Sequence, residues 1–213
     1  MSFEQFESIF YPDFESYDLE EWTLEKMPKR LNTERNSTRS KSHDGWFFKS
    51  HNGRSKYVNF VVDKSIDCNF SIIFLLLLRF HCQKCSRQKK TNGKPIWSSV
   101  YTTILFRARY SKEQDKNGFI WGCGRVQMKI FEQGCQTCGT YSAGHFDENG
   151  IRFALYWLHI WILKTFYNVN IHNDDDHDRP HSEVLSRGPH HVDLCNACRS
   201  GWCKYQQQEN AIP

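Results

Sequence analysis

The sequence lacks most of the features that define secreted and membrane-spanning proteins. The first 16 residues are acidic and contain no continuous apolar core, so no signal peptide is predicted. The two longest apolar stretches, Phe70–Phe80 and Ile151–Tyr167, are too short or too interrupted by polar residues to cross a bilayer, and the last residues are polar. These absences favour a cytoplasmic location.

Catalytic signatures are also missing. The chain contains no phosphate-binding glycine loop, no HExxH and no GxSxG. Proline is scarce, with 6 in 213 residues, while aromatic residues make up 15% of the chain, so most of it can pack. We therefore expect a folded, non-enzymatic protein without a small-molecule substrate.

Cysteine is abundant, and six of the nine cysteines form three CxxC pairs. Two residues between thiolates allow both sulfurs to reach one tetrahedral ion. The candidate ligands are Cys82, Cys85, Cys135, Cys138, His190, Cys195, Cys198 and Cys203. Eight ligands match two four-coordinate zinc ions with no position left for water, which predicts structural rather than catalytic zinc.

The spacing leaves part of this assignment open. One ion would take two CxxC pairs and the other the third pair with Cys203 and a histidine, but the sequence does not choose the pairing, nor His190 over His191. A disulfide framework or a redox CxxC is the alternative use of the cysteines, disfavoured by the missing signal peptide and the missing βαβ pattern. Cys68 and Cys123 are expected to be core residues.

Net charge gives little support for a nucleic-acid partner. The formal charge of +4 would fall to +1 if seven thiolates bound two zinc ions. Only a clustered basic face would indicate nucleic acid. Alternation across the predicted strands places Arg107, Arg109, Arg125 and Lys129 on one exposed face, which is the candidate RNA-binding surface. The ordinary interpretation of such a face is a solvated sheet surface.

Composition divides the chain into four parts. Residues 1–30 form an acidic, aromatic arm in which Phe3, Phe6 and Phe10 have helical spacing, and we expect this helix to dock on the domain. Residues 31–55 form a basic linker, residues 56–205 the three-CxxC domain, and residues 206–213 a polar tail. The run Asn173–Asp178 is expected to be a solvated loop.

The domain itself is predicted to be α+β. Strands are expected over Phe70–Phe80, Trp97–Arg109 and Phe119–Phe131, the last two joined by a turn at residues 115–118. A loop should occupy Tyr141–Gly150, and Ile151–Tyr167 should form a buried helix. The predicted fold is a zinc-stabilised antiparallel sheet of zinc-ribbon-like hairpins, with one packed core helix and an N-terminal helical arm.

Four segments carry a family resemblance: Phe80–Cys85, Trp97–Val100, Gly124–Cys138 and Gly188–Cys203. Their order, the strand before the second pair and the GPH…CxxC…GxC ending resemble the three-CxxC zinc-binding domain of receptor-transporting proteins. The resemblance covers about Phe70 to Cys203. Two departures are visible: the loop between Cys85 and Trp97 is longer than is usual in the family, and no C-terminal membrane anchor is evident.

The resemblance implies a function that composition does not show. It implies an accessory protein that binds G-protein-coupled receptors, including odorant receptors, and promotes their trafficking to the cell surface, peripheral to membranes. Relatives with a similar domain bind RNA, one of them in antiviral defence, so RNA binding is the alternative. The family pattern also favours His190 over His191 as a ligand.

Overall fold

The computed structural model of the protein describes residues 2–19, 21–31, 47–52, 78–87, 96–99, 102–170 and 190–203. Cys68, the run Asn173–Asp178 and all but the end of the predicted strand Phe70–Phe80 lie outside these residues.

The described part of the chain contains helices and strands in mixed order. The helices are α1 (Ser2–Glu15), α2 (Gln83–Arg87), α3 (Glu148–Phe166) and α4 (Asn196–Arg199), with a 3₁₀ turn at Val192–Leu194. The strands are β1 (Trp22–Lys26), β2 (Phe47–Asn52), β3 (Leu78–His81), β4 (Ile96–Ser99), β5 (Thr103–Gln114), β6 (Ile120–Ile130), β7 (Gln133–Gly134) and β8 (Tyr141–Ser142). The predicted α+β class, with a core helix and an N-terminal helix, is confirmed.

The largest sheet has the strand order β1-β6-β5-β2, and β5 and β6 form its central hairpin. Their antiparallel register runs from Ile104 opposite Ile130 to Gln114 opposite Ile120, with the predicted turn between them. Strand β2 is also antiparallel to β5, whereas β1 pairs with β6 in parallel. The sheet is therefore mixed, because the arm returns from α1 and enters the sheet beside β6. Two short hairpins, β3–β4 and β7–β8, stand apart from it.

One face of this sheet is covered by α1 and α3. Of the residues with the predicted helical spacing, Phe6 and Phe10 are buried and Phe3 is partly buried. Phe6, Phe10 and Phe14 share one core with the sheet and α3. Removing a side chain of this size from water contributes about 1.5–3 kcal/mol, so these three anchor the arm firmly. The α1 helix is thus docked on the domain.

Helix α3 is held at both ends. The Asp147 side chain caps its first turn by accepting a hydrogen bond from the Gly150 backbone N–H, at 2.7 Å. At its C-terminal end, the Trp22 indole N–H donates to the Tyr167 hydroxyl at 2.9 Å, and that hydroxyl donates to the Glu21 carboxylate. The C-terminal end of the helix is therefore fixed to the start of β1. None of the helices in the described residues has both the length and the apolar character needed to cross a membrane.

Three predicted elements differ from the structure. The single strand predicted over Trp97–Arg109 is wrong: β4 pairs with β3, while β5 belongs to the main sheet. Apolar alternation continues through both strands, so periodicity alone could not reveal the change of sheet. Residues 22–26 of the predicted helical arm form β1, and the predicted loop Tyr141–Gly150 contains β8 and the first turn of α3.

Candidate metal centres

The first centre brings together two cysteine pairs that are distant in sequence. Cys82 and Cys85 follow β3, and Cys135 and Cys138 lie between β7 and β8. Their four sulfurs all lie within 4.8 Å of one another. Across the two pairs, Cys82 Sγ is 3.4 Å from Cys138 Sγ, and Cys85 Sγ is 3.8 Å from Cys135 Sγ.

Local backbone geometry holds each pair in place. The backbone N–H of Cys85 donates to Cys82 Sγ at 3.4 Å, because α2 winds the chain back over the first thiol. In the second pair, the Cys135 N–H donates to the Thr140 carbonyl, and the Gly139 N–H donates to the Cys135 carbonyl. Both pairs therefore sit on short turns that direct their sulfurs to one point.

The second centre comes from one short segment near the end of the described chain. It contains His190, Cys195, Cys198 and Cys203, whose ligand atoms also lie within 4.8 Å of one another. His190 Nε2 is 3.1 Å from Cys198 Sγ and 3.6 Å from Cys203 Sγ. The structure places His190 in this cluster, whereas His191 is exposed. The pairing left open by the sequence is resolved geometrically: the first two CxxC pairs meet, and the third joins His190 and Cys203.

A tight reversal returns Cys203 to this cluster. After α4, Gly201 adopts a φ of +75°, a backbone conformation that side-chain-bearing residues rarely adopt. The backbone N–H groups of Trp202 and Cys203 then both donate to the Ala197 carbonyl. Trp202 is buried beside the cysteines, so the reversal is closed by both hydrogen bonds and packing.

The chemistry and dimensions of both clusters fit zinc. Sulfurs bound at about 2.3 Å to a tetrahedral ion lie about 3.8 Å apart, and a histidine nitrogen lies about 3.5 Å from each sulfur. The observed separations are close to these values and are longer than the ~2.05 Å of a disulfide. All the cysteines of the two clusters are free thiols. The two centres therefore fit two structural zinc ions, as the sequence predicted.

The thiols of the first centre differ in their pKa values. Hydrogen bonding with the side chain and backbone of Thr140, whose hydroxyl oxygen lies 3.3 Å from the sulfur, lowers the pKa of Cys138 to about 6. The hydrogen bond to Cys138 raises the pKa of Cys85 to about 12. Neighbouring sulfurs cannot all carry negative charge unaided, and a divalent ion replaces the protons that otherwise separate them.

The two centres are joined through β7. The backbone of Gln133 forms a β-bridge with Cys195, and the Asn196 N–H donates to the Glu132 carbonyl at 3.2 Å. The Gln133 side chain accepts a hydrogen bond from the Trp97 indole at 3.4 Å, beside the first centre. Sequence reasoning did not single out Gln133, because its role depends on contacts with segments far away in sequence.

The basic residues predicted to form an RNA-binding face share a face but differ in exposure. Arg107 is buried and donates to Gln127, which donates to Glu25. The Lys129 ammonium lies 4.9 Å from the Phe131 ring centroid, and burial lowers its pKa.

Arg109 and Arg125 remain as the outer part of that face. They lie directly opposite each other in the β5–β6 register, where like charges repel. Arg125 is exposed and Arg109 is half-buried. Cys123 is partly buried on β6, outside both clusters.

Two four-ligand centres built on short hairpins and turns define the class of this protein as a zinc ribbon. Residues 76–201 match the family model of the three-CxxC zinc ribbon, described as a zinc-binding domain. This match covers more than half of the 213 residues, and the chain belongs to that family.

The chain is also similar to receptor-transporting proteins. It is 28% identical to receptor-transporting protein 3 of Mus musculus over 127 residues, which are 59% of this chain and 23% of that protein. It is 26% identical to receptor-transporting protein 2 of Mus musculus over 137 residues, which are 63% of this chain and 53% of that protein. The chain thus spans about half or less of the length of these relatives. No solved structure matches it significantly.

Proposed function

We propose that this protein is a non-enzymatic accessory protein that binds G-protein-coupled receptors and promotes their delivery to the cell surface. In this proposal Cys82, Cys85, Cys135 and Cys138 hold one structural zinc ion, and His190, Cys195, Cys198 and Cys203 hold the other.

The proposal that the protein is not an enzyme rests on the completeness of both ligand sets. Each cluster offers four protein ligands within 4.8 Å of one another, and a catalytic zinc requires an open position for water or substrate. Of the clustered ligands, only Cys138 and His190 are partly exposed, so both centres are suited to holding backbone segments together. Zinc then stabilises a surface for other proteins.

The receptor-binding part is supported by the similarity to receptor-transporting proteins 2 and 3, whose names describe transport of receptors. The matched region contains the β5–β6 hairpin, α3, the first metal centre and three of the four ligands of the second centre. We therefore assign receptor binding to this zinc-stabilised unit.

Receptor delivery can be tested by co-expressing the full chain with a panel of epitope-tagged G-protein-coupled receptors. Antibody labelling of intact cells gives the surface fraction, and co-purification tests direct association. We expect the chain and a Cys123→Ser control to raise the surface fraction equally, and Cys135→Ser to have no effect. Unchanged surface fractions together with no co-purification of the zinc-loaded protein would contradict the proposal.

RNA binding is a second candidate, favoured by the facing pair Arg109 and Arg125. Two guanidinium groups held side by side suit a phosphate backbone. Under this candidate, an Arg109→Gln/Arg125→Gln variant should bind RNA more weakly and with a shallower salt dependence. A Lys26→Gln variant, which removes a cation on β1, provides the matched control. Equal RNA affinity and salt dependence in the two variants would argue against this candidate.

A further inference from the structure

The tip of the β5–β6 hairpin carries three consecutive apolar residues that face solvent. Phe119, Ile120 and Trp121 are 68%, 58% and 39% exposed, respectively. They stand at the end of the hairpin furthest from the residues of β5 and β6 that pack in the core. Contiguous exposed apolar side chains of this size mark a surface that contacts another molecule or a membrane.

The tip has a defined backbone conformation that holds these side chains outward. The Asp115 carboxylate accepts hydrogen bonds from the backbone N–H groups of Asn117 and Phe119, at 2.9 and 2.7 Å. The Asp115 N–H donates to the Phe119 carbonyl at 2.9 Å, and the Gln114 amide donates to the Gly118 carbonyl at 3.2 Å. The exposed residues are thus presented by a turn with several internal hydrogen bonds.

Apolar groups surround the tip on both faces of the hairpin. Phe119 and Trp121 stack on one face, with ring centroids 6.5 Å apart. Ile120 points to the opposite face, because side chains alternate along a strand. Bases stacked on the two aromatic rings would leave Ile120 in water, whereas the interfacial region of a bilayer surrounds an inserted tip and covers all three side chains. Tryptophan is also enriched at that depth of a membrane.

Positive charge accompanies the apolar tip. The charged residues of the outer hairpin are Arg109, Lys112, Glu113, Asp115, Lys116 and Arg125. Cations outnumber carboxylates by four to two, and the Asp115 carboxylate is directed at backbone N–H groups. Lys112, Lys116 and Arg125 are exposed. This arrangement is complementary to a surface of anionic headgroups, which attract basic residues placed beside it.

We propose that residues 119–121 insert into the headgroup region of an anionic lipid bilayer, with the surrounding lysines and arginines on the lipid phosphates. The contact is direct and reversible, because a small apolar tip with a few cations anchors a protein only weakly. It assigns a membrane-contacting surface to the hairpin independently of any receptor.

Vesicle flotation with the full chain tests this proposal. The vesicles contain either phosphatidylcholine alone or phosphatidylcholine with phosphatidylserine, and the variants are Phe119→Ser/Trp121→Ser, Ile120→Ser and Lys112→Gln/Lys116→Gln. Tyr11→Ser removes an aromatic of similar exposure from α1 and is the matched control. We expect salt-sensitive binding to the anionic vesicles, about tenfold weaker for the double apolar variant and unchanged for the control.

The fold of each variant and its binding to single-stranded RNA are measured in parallel. Zinc content and the midpoint of thermal unfolding should be the same in all variants, because the substituted side chains are exposed. Wild-type protein that ignores anionic vesicles would overturn the proposal, as would tip variants that bind them with wild-type affinity. Weaker binding of single-stranded RNA by the tip variants, with vesicle binding unchanged, would also overturn it and assign the tip to nucleic acid.

Discussion

The two metal centres use the same ligand chemistry but connect different parts of the chain. In the first, Cys85 and Cys135 are 50 residues apart, whereas the second spans only 13 residues from His190 to Cys203. Closing the longer loop costs only about 1 kcal/mol more in chain entropy, so closure cost does not separate the centres. The two centres differ in the segments that they join. The first joins the β3–β4 hairpin to the β7–β8 hairpin, and the second holds residues 190–203 against β7.

Equal ligand sets can therefore have unequal structural roles. Loss of the first centre would remove the four-ligand link between the two hairpins, which leaves the Trp97–Gln133 contact between them and Phe80 of β3 in the main core. Loss of the second would release a segment that is otherwise held by the Gln133–Cys195 bridge and by packing beside Phe131.

The largest effect is expected for Cys135→Ser. Structural zinc contributes about 10–16 kcal/mol in small zinc domains, which is comparable to the whole stability of a typical domain. We predict that this variant binds one zinc ion at most and shows no cooperative thermal transition in circular dichroism. Cys123→Ser is the matched control and should keep two zinc ions. A folded Cys135→Ser protein with two zinc ions would refute the role given to the first centre.

A smaller effect is expected for Cys203→Ser. This change should remove the second zinc ion and unfold residues 190–203 locally, while the β5–β6 hairpin and the α1–α3 core stay folded and keep their cooperative thermal transition. Hydrogen exchange measured by mass spectrometry would show lost protection confined to residues 190–203.

Variants of His190 and His191 test which of the two histidines binds zinc in the second centre. His190→Cys should retain zinc, His190→Ala should lose it, and His191→Ala should behave as wild type because His191 is exposed. Loss of zinc in the His191 variant alone would reverse the ligand assignment.

A third effect concerns the connection between the centres. A Cβ added at Gly134 would lie 2.9 Å from Leu194 Cδ2 and 3.3 Å from its Cβ, so Gly134→Ala should push β7 away from the second centre. We expect a loss of about 1–3 kcal/mol in the free energy of unfolding. Chemical denaturation of the single variants and of Gly134→Ala/Leu194→Ala gives a double-mutant cycle. Additive costs would show that the two residues do not meet.

The smallest effect is a loss of stability of the core in acid, which is measured separately from the release of zinc in acid. His159 is buried on α3 against Tyr17, and burial lowers its pKa to about 4. The folded state therefore prefers neutral histidine, so its stability is full above about pH 6.5 and falls as pH decreases towards 4. His159→Phe should flatten this dependence when denaturation is followed between pH 7 and 4. Zinc release with acid should be the same in both proteins, and an equal pH dependence of stability would contradict the assignment.

The features of this fold that depend on residues close together in the sequence could be predicted. The three CxxC spacings, the helix near Ile151–Tyr167 and the hairpin around residues 115–118 depend on short-range patterns, and each has its counterpart in the structure. The aromatic spacing of α1 also sufficed to predict docking, because one apolar face of a helix requires a partner.

The sequence did not predict which segments that are distant along the chain contact each other. Whether Cys135 meets Cys82 or Cys195 depends on the packing of separate hairpins, and all the CxxC spacings are equal. Arg107 shares its strand pattern with the half-buried Arg109 and the exposed Arg125, and its burial depends on neighbours that include Gln127, which is itself bonded to Glu25. Likewise β1 joins the sheet in parallel, which no local pattern indicates.

Native mass spectrometry of the full chain, with a chelator titration followed by circular dichroism, tests the central claim most directly. Two independent four-ligand centres predict two zinc ions per chain and loss of the folded signal when both are removed. One zinc ion, none, or a chain that keeps its structure after complete zinc removal would contradict the account.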